Sequence, residues 1–279
     1  MRDNRGRLAL WLKGDGIEIG ALHRPLGVPP TARVRYVDRL PEADLRRHYP
    51  ELADQPFAPV SVLGSAEDLS AFPDASLDFV IANHLLEHLE DPIRGLREFA
   101  RVLRRDGVLY LALPDPRVSF DRGRQLTSVD HLVDEYRRGT RANRAAHYLD
   151  WATNVDKDPE PSARAARLME MDYSIHFHVW QPDTFVEFLV AARKEAGLEL
   201  EIGEFSPPQH PQDDEFIFVL LKGASSTLRL PPNAEQLVPP PKPGLRARLA
   251  RSPVGPVIRP AYRGIGRLVN RLGPGKRRG

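Results

Sequence analysis

The chain has 279 residues, 41% of them apolar, enough for one large domain or two small ones with a packed core. It contains no cysteine, which excludes disulfides, thiolate metal sites and cysteine nucleophiles. The net charge of +2 is unevenly spread: from Gly223 onward 12 Lys/Arg face a single acid, Glu235, so this tail carries +11 and residues 1–222 carry −9, a body unsuited to binding nucleic acid.

No apolar run approaches the roughly 18 residues of a membrane span. The opening "MRDNRGRLALWLKGDG" has neither an apolar leader core nor a small-residue cleavage site. No signal peptide is therefore expected, and a cytoplasmic location is.

In chain order, "GIEIG" (16–20) and "VRYVD" (34–38) read as short strands separated by a Pro-rich turn region, and "APVSVL" (58–63) as a third. "LDFVIA" (77–82) and "GVLYLALP" (107–114) are nearly continuous apolar runs, as in parallel strands covered on both faces. Between them a helix begins after the N-cap Asp91, with Pro92 at its first position. Its apolar face carries Ile93, Leu96, Ala100 and Leu103, and "RRDG" is expected to close it. Residues 115–175 break this rhythm and read as a helical insertion or lid. A helix at 182–196 buries Phe185, Phe188, Leu189 and Ala192. Strands at 198–204 and 215–222 follow, close enough in sequence to be antiparallel neighbours. The recurring β-α-β pattern predicts an α/β, doubly wound, mostly parallel sheet over 1–222.

Residues 223–279 read as a Pro-rich basic tail. Arg259, Arg263, Arg267 and Arg271 recur every four residues with apolar residues between them. The segment 257–272 is either a basic amphipathic helix making peripheral contact with a membrane or part of a disordered solubilising tail.

The set "GIEIG", "YVD" and "GSAEDLSAFPDASLDFVIANHLLEHLEDPIRGLREFARVLRRDGVLYLALP" resembles the class I S-adenosylmethionine-dependent methyltransferases, closely over 14–115 and by pattern alone over 180–222. The resemblance implies a Rossmann-like, seven-stranded sheet with the last strand antiparallel, and S-adenosylmethionine as cofactor. That cofactor has no phosphate, so a glycine-rich pyrophosphate nest is unnecessary. Gly20 would allow close backbone approach. Asp38, 18 residues further on, would accept the ribose hydroxyls, and Glu18 would face the amino-acid end. By resemblance Ala66 and Glu67 lie near the adenine, and Asn83 and His84 near the sulfonium. The plain alternative for Glu18 and Asp38 is acids that merely end strands.

One departure stands out. The family's Gly-x-Gly becomes Gly20-Ala21-Leu22, followed by His23-Arg24-Pro25. Arg24 could pair with the cofactor carboxylate or with a nearby acid.

A hydroxyl acceptor requires a general base. The candidates are His84 and His88, four apart in a stretch read as helical, and His176 and His178, two apart in "SIHFHVW". Each also has a structural reading. A His-x-His pair without a placed carboxylate is a weak metal signal, and no metal is expected. Asp115, His131 and Trp180 are candidate substrate contacts, with Tyr136 and Arg137 beside them in the insertion. The expected function is methyl transfer to an acceptor hydroxyl, on a small molecule or on a sugar or surface glycan. Two rivals are a catalytically idle methyltransferase-like binding module and a nicotinamide-dependent oxidoreductase. The latter wants G-x-G-x-x-G, which is absent.

Overall fold

The computed structural model describes residues 4–52, 54–208 and 213–223. The Pro-rich basic tail, with the helix read at 257–272, lies outside the described residues. Seven strands form one sheet: β1 (Gly14–Ile19), β2 (Ala32–Asp38), β3 (Val60–Leu63), β4 (Leu77–Asn83), β5 (Leu103–Pro114), β6 (Leu200–Ser206) and β7 (Glu215–Lys222). Their spatial order is β3-β2-β1-β4-β5-β7-β6. The pairs from β3 through β5 are parallel, and β7 runs antiparallel to both β5 and β6.

The reason the central strands are apolar throughout is visible in the alternation along β4. Val80 and Ala82 face one core, with Phe99, Phe185 and Phe188. Phe79 and Ile81 face the other, with Leu8, Trp11, Leu12 and Tyr110. Both faces are dry, so neither can carry polar residues. The second face is covered in part by α1 (Asn4–Leu8) and a 3-10 turn at Ala9–Trp11, a segment too short for periodicity to reveal. The indole N–H of Trp11 donates to Glu204, 2.5 Å away, and Arg7 pairs with the same carboxylate.

The helix α3 (Pro92–Val102) starts as read, with Asp91 accepting from the Arg94 amide at 2.9 Å. It stops at Val102, before "RRDG" begins. Leu103 already pairs with Leu77 in the sheet, and the turn places Asp106, not Gly107, at a positive φ of 65°. Gly107 is needed there for space: a Cβ would lie 2.8 Å from the Arg104 carbonyl oxygen. The helix α7 (Pro182–Ala196) buries the four residues its pattern predicts and ends on Gly197 at φ 64°. Between β2 and β3 lies α2 (Glu42–His48).

The insertion folds as α4 (Val129–Arg138), α5 (Arg144–Asn154) and α6 (Pro161–Glu170), with its own small core of Tyr148, Trp151, Leu168, Ile175 and Phe177. Residues 173–180 then run extended back to α7. Among the described residues no helix is long and apolar enough to cross a membrane.

Gly16 lies where β1 meets β4, and a Cβ there would fall 2.3 Å from the ring of the fully buried Phe79. Gly16→Ala is expected to destabilise the fold by about 1–3 kcal/mol through overpacking, read as a lowered urea midpoint at unchanged slope.

Candidate active site

The chain leaves β1 toward β2 on one side and returns to β4 on the other, so a crevice opens at the carboxyl ends of these strands. A cavity of about 670 Å³ occupies it. Its floor is built around the strand ends: Glu18 in β1 and Gly20 just past it, Asp38 at the end of β2, Ala66 and Glu67 after β3, Asn83 at the end of β4 and His84 just past it. Its roof comes from the insertion, through Gly139, Thr140, Tyr148, Tyr173, Ser174 and Phe177. His88 stands between floor and roof.

Glu18 is fully buried, and both its carboxylate oxygens accept from the Leu26 amide at 3.0 Å. This pins the loop 20–26 back onto the strand. Within that loop Leu22 takes a positive φ of 46°, keeping a left-handed backbone at the second glycine position without a glycine. Such a conformation costs about 1–2 kcal/mol for a side-chain-bearing residue. It is held by Glu18 and by the Ala58 amide, which donates to the Leu22 carbonyl at 2.7 Å. Burial pushes the Glu18 carboxyl up to about 7, against hydrogen bonds from Leu26 and Asn83 that favour its charge. Asp38 is also raised by burial, although the Arg39 and Leu40 amides donate to it.

These groups suit a cationic, phosphate-free ligand. Two half-desolvated carboxylates would repel a pyrophosphate and would be relieved by an ammonium or sulfonium. Asn83 donates to Glu18 at 3.4 Å while its own side-chain oxygen is buried with no hydrogen-bond partner among the described residues. That is an acceptor waiting on the cavity wall for a donor such as an ammonium. The Asp38 carboxylate at the end of β2 faces the same cavity.

The histidines separate into different roles. The stretch read as one helix holds only a 3-10 turn at Leu86–His88, and His84 ends β4 at φ 48°, so His84 and His88 share no helical face. The His84 Nε2 lies 2.8 Å from Glu215, which also takes Arg5 at 2.7 Å. Burial works against a charge on His84, but Glu215 and Glu87 outweigh it and raise its pKa. His88 is the opposite case: burial and the nearby His176 hold its pKa well below the usual value. Its Nδ1 donates to the Ile175 carbonyl at 2.9 Å, with the Ser174 hydroxyl at 3.1 Å. The hydrogen bond to a carbonyl fixes the tautomer and leaves Nε2 as a lone pair.

Five candidates lie off the cavity wall. His176 is buried behind His88, its Nδ1 2.7 Å from Asp121 and its ring edge-on to His88 at 4.6 Å between centroids. His178 and His131 converge instead on Glu135, in a separate cluster. Trp180 packs on Phe188 at 5.3 Å in the core and has no face left for a sugar. Asp115 is buried and holds Arg117 at 2.6 Å in its own turn. Arg137 pairs with Glu195 at 2.7 Å, and Arg24 lines the cavity near its mouth.

The structure adds Arg5, Glu87, Tyr148 and Tyr173 to the neighbourhood. Glu87 is fully buried with neither carboxylate oxygen hydrogen-bonded among the described residues, and burial raises its pKa. It lies 3.7 Å from His84 Nδ1 and 4.0 Å from His176 Nε2. The family-like Leu-Glu-His was a signal for it, but the roof residues had none, since they lie about 50 or more positions further along the chain.

Residues 14–111 match the family model of a methyltransferase domain. A 52-residue stretch is 48% identical to a probable S-adenosylmethionine-dependent methyltransferase of Mycobacterium tuberculosis, in each of two strains, and covers 19% of this chain and 19% of the relative. The matched stretch thus spans about a fifth of the curated relatives' length. Among solved structures, an S-adenosylmethionine-dependent methyltransferase from Thermotoga maritima is 18% identical, with 78% of this chain and 90% of that chain covered and a TM-score of 0.40. An arsenic(III) S-adenosylmethionine methyltransferase from Chlamydomonas reinhardtii is 17% identical, with 74% and 62% covered and a TM-score of 0.36. At these scores the superpositions add nothing to the strand order itself. Residues 14–111 are thus similar to a methyltransferase domain, and the curated relatives matched over 52 residues carry the name of S-adenosylmethionine-dependent methyltransferases.

The buried Glu18 has a testable signature. Its folded pKa lies above the unfolded one, so its contribution is present at low pH and is lost as pH rises through about 7. Relative to Glu18→Gln, the wild-type unfolding free energy without ligand is expected to fall by roughly 1–3 kcal/mol between about pH 5 and about pH 8. Parallel urea titrations across that range check this.

Proposed function

We propose that the chain transfers the methyl group of S-adenosylmethionine to an acceptor hydroxyl, on a sugar or surface glycan. The observation that carries this reading is His88: a neutral imidazole on the cavity wall, its tautomer set by the Ile175 carbonyl, with Nε2 available to take a proton. A hydroxyl nucleophile needs such a group, whereas a thiolate or amine needs little more than alignment. His84, with its raised pKa and its bond to Glu215, is a charged wall rather than a base.

When bound, S-adenosylmethionine supplies an electrophilic methyl and leaves as S-adenosylhomocysteine. Asp38 accepts the ribose hydroxyls, and Glu18 with the side-chain oxygen of Asn83 receives the ammonium. Gly20, at φ 68°, allows backbone approach. The insertion roof excludes water and orients the acceptor. His88 Nε2 takes the hydroxyl proton as the oxygen–methyl bond forms. His176, fixed by Asp121, packs behind His88 and holds its ring in place.

A sugar acceptor is supported by the character of the roof. The rings of Tyr148, Tyr173 and Phe177 alternate with the polar groups of Glu90, Asp172 and Ser174, the mixture that a pyranose with apolar faces and a hydroxyl rim requires.

The test couples binding to turnover. Asp38→Ala is expected to weaken S-adenosylmethionine affinity by about 1–3 kcal/mol in titration calorimetry. His88→Asn should keep that affinity and lose about 100- to 10,000-fold in methyl transfer to the best acceptor of a glycan panel. Cofactor binding without transfer to any hydroxyl acceptor would favour an idle binding module instead.

A further inference from the structure

Three imidazoles and one carboxylate meet beside the roof, off the cavity wall. His131 and Glu135 stand one turn apart on α4 and share a face. His147 comes from α5, and His178 from the extended segment before α7. The His131 Nε2 is 3.2 Å from Glu135 Oε2 and 3.2 Å from His147 Nε2. The His147 Nε2 is 2.9 Å from Glu135 Oε1, and the His178 Nε2 is 3.6 Å from Oε2. All four donor groups fall within 4.8 Å of one another. Ligands held at about 2.0–2.1 Å around a tetrahedral zinc ion stand about 3.3 Å apart, close to the four separations of 2.9, 3.2, 3.2 and 3.6 Å.

Hydrogen bonding alone does not explain the arrangement. Glu135 Oε2 is buried and makes no hydrogen bond among the described residues, despite two imidazole nitrogens nearby. The His131 and His147 Nε2 atoms stand 3.2 Å apart, close enough for one ion to bind both. The His178 Nδ1 is buried without a partner, while its Nε2 faces both Glu135 and the Glu90 carbonyl at 3.3 Å. Phe177 and Trp180 lie against His147 and His178 and cover that side of the site. The His-x-His of the sequence thus acquires the placed carboxylate that a metal reading of it lacked.

We propose that His131, Glu135, His147 and His178 bind a divalent transition-metal ion, zinc by donor set and spacing, as a structural site. Three imidazoles and a carboxylate suit zinc better than magnesium or calcium, which take oxygen. Four protein ligands leave no open position for chemistry. The ion ties α4 and α5 to the segment entering α7. Gly139 and Thr140, between two of the ligands in sequence, and Phe177, next to a third, all line the cavity, so the ion sets the position of the roof.

The experiment uses the untagged full chain, stripped with a chelator and titrated with Zn²⁺ in competition with a chromophoric chelator. One equivalent per chain, a raised melting temperature, and the intense visible bands of tetrahedral Co²⁺ on cobalt substitution are expected. Glu135→Gln and His147→Ala should each weaken binding beyond the about 10- to 100-fold typical of losing an outer-shell partner. His131→Asn, at a partly exposed position, gives the same readout if His147→Ala fails to fold. His88→Asn should leave the equivalent intact, which separates this site from the cluster of Glu87, His88 and His176. No stoichiometric zinc, or an equivalent that survives Glu135→Gln and His131→Asn, overturns the proposal.

Discussion

A single carboxylate, Glu18, holds the site together. It ends the apolar part of β1, is removed from water, and satisfies itself on the Leu26 amide. That bond folds the following loop back over the strand end and forces Leu22 into a left-handed conformation that its side chain resists. The loop answers with backbone bonds of its own, so the strained shape is determined several times over. The same carboxylate makes the floor of the cavity hostile to phosphate and receptive to a positively charged ligand. The loop's departure from a glycine-rich sequence is therefore a change in how the turn is held, while the backbone path survives.

Around this floor, charge is arranged by contrast. Glu215, with Arg5 and His84, forms a hydrogen-bonded ionic cluster at one edge. Across the cavity, His88 is kept neutral by burial beside His176. Two histidines four residues apart thus receive opposite protonation tendencies, because one is given carboxylates and the other a carbonyl and a second imidazole. The insertion completes the enclosure. Asp172 reaches Arg39 after β2 at 3.4 Å and pairs with Arg144 on α5, which draws the roof toward the β2 end of the floor. That geometry closes the insertion over the cavity.

The strands themselves, the two-faced core and the helices α3 and α7 were legible because each is a local pattern with a strong period. Continuous apolar runs mean burial on both faces, and Asp91-Pro92 marks a helix start whatever surrounds it. Among the floor residues, Glu18, Gly20 and Asp38 were legible for a related reason: they lie at strand ends, which converge in this topology, whereas Ala66, Glu67 and Asn83 came from the family resemblance alone. The errors fall where pattern is weak. "NHLLEHLEDP" has helical spacing, yet β4 ends inside it and His84 turns the chain. Trp180 and Asp115 have the chemistry of ligand contacts, but one is consumed by packing against Phe188 and the other by its own turn.

The sequence by itself determined the sheet, the crevice and the acids on its floor, because these depend on short-range periodicity and on where strands stop. Only the tertiary structure decided which histidines face the cavity, which carboxylates lose their partners, and that Glu135 stands among His131, His147 and His178. Those outcomes depend on contacts between segments 12 to 131 residues apart, fixed by how the insertion packs on the sheet, and no local pattern encodes such distances.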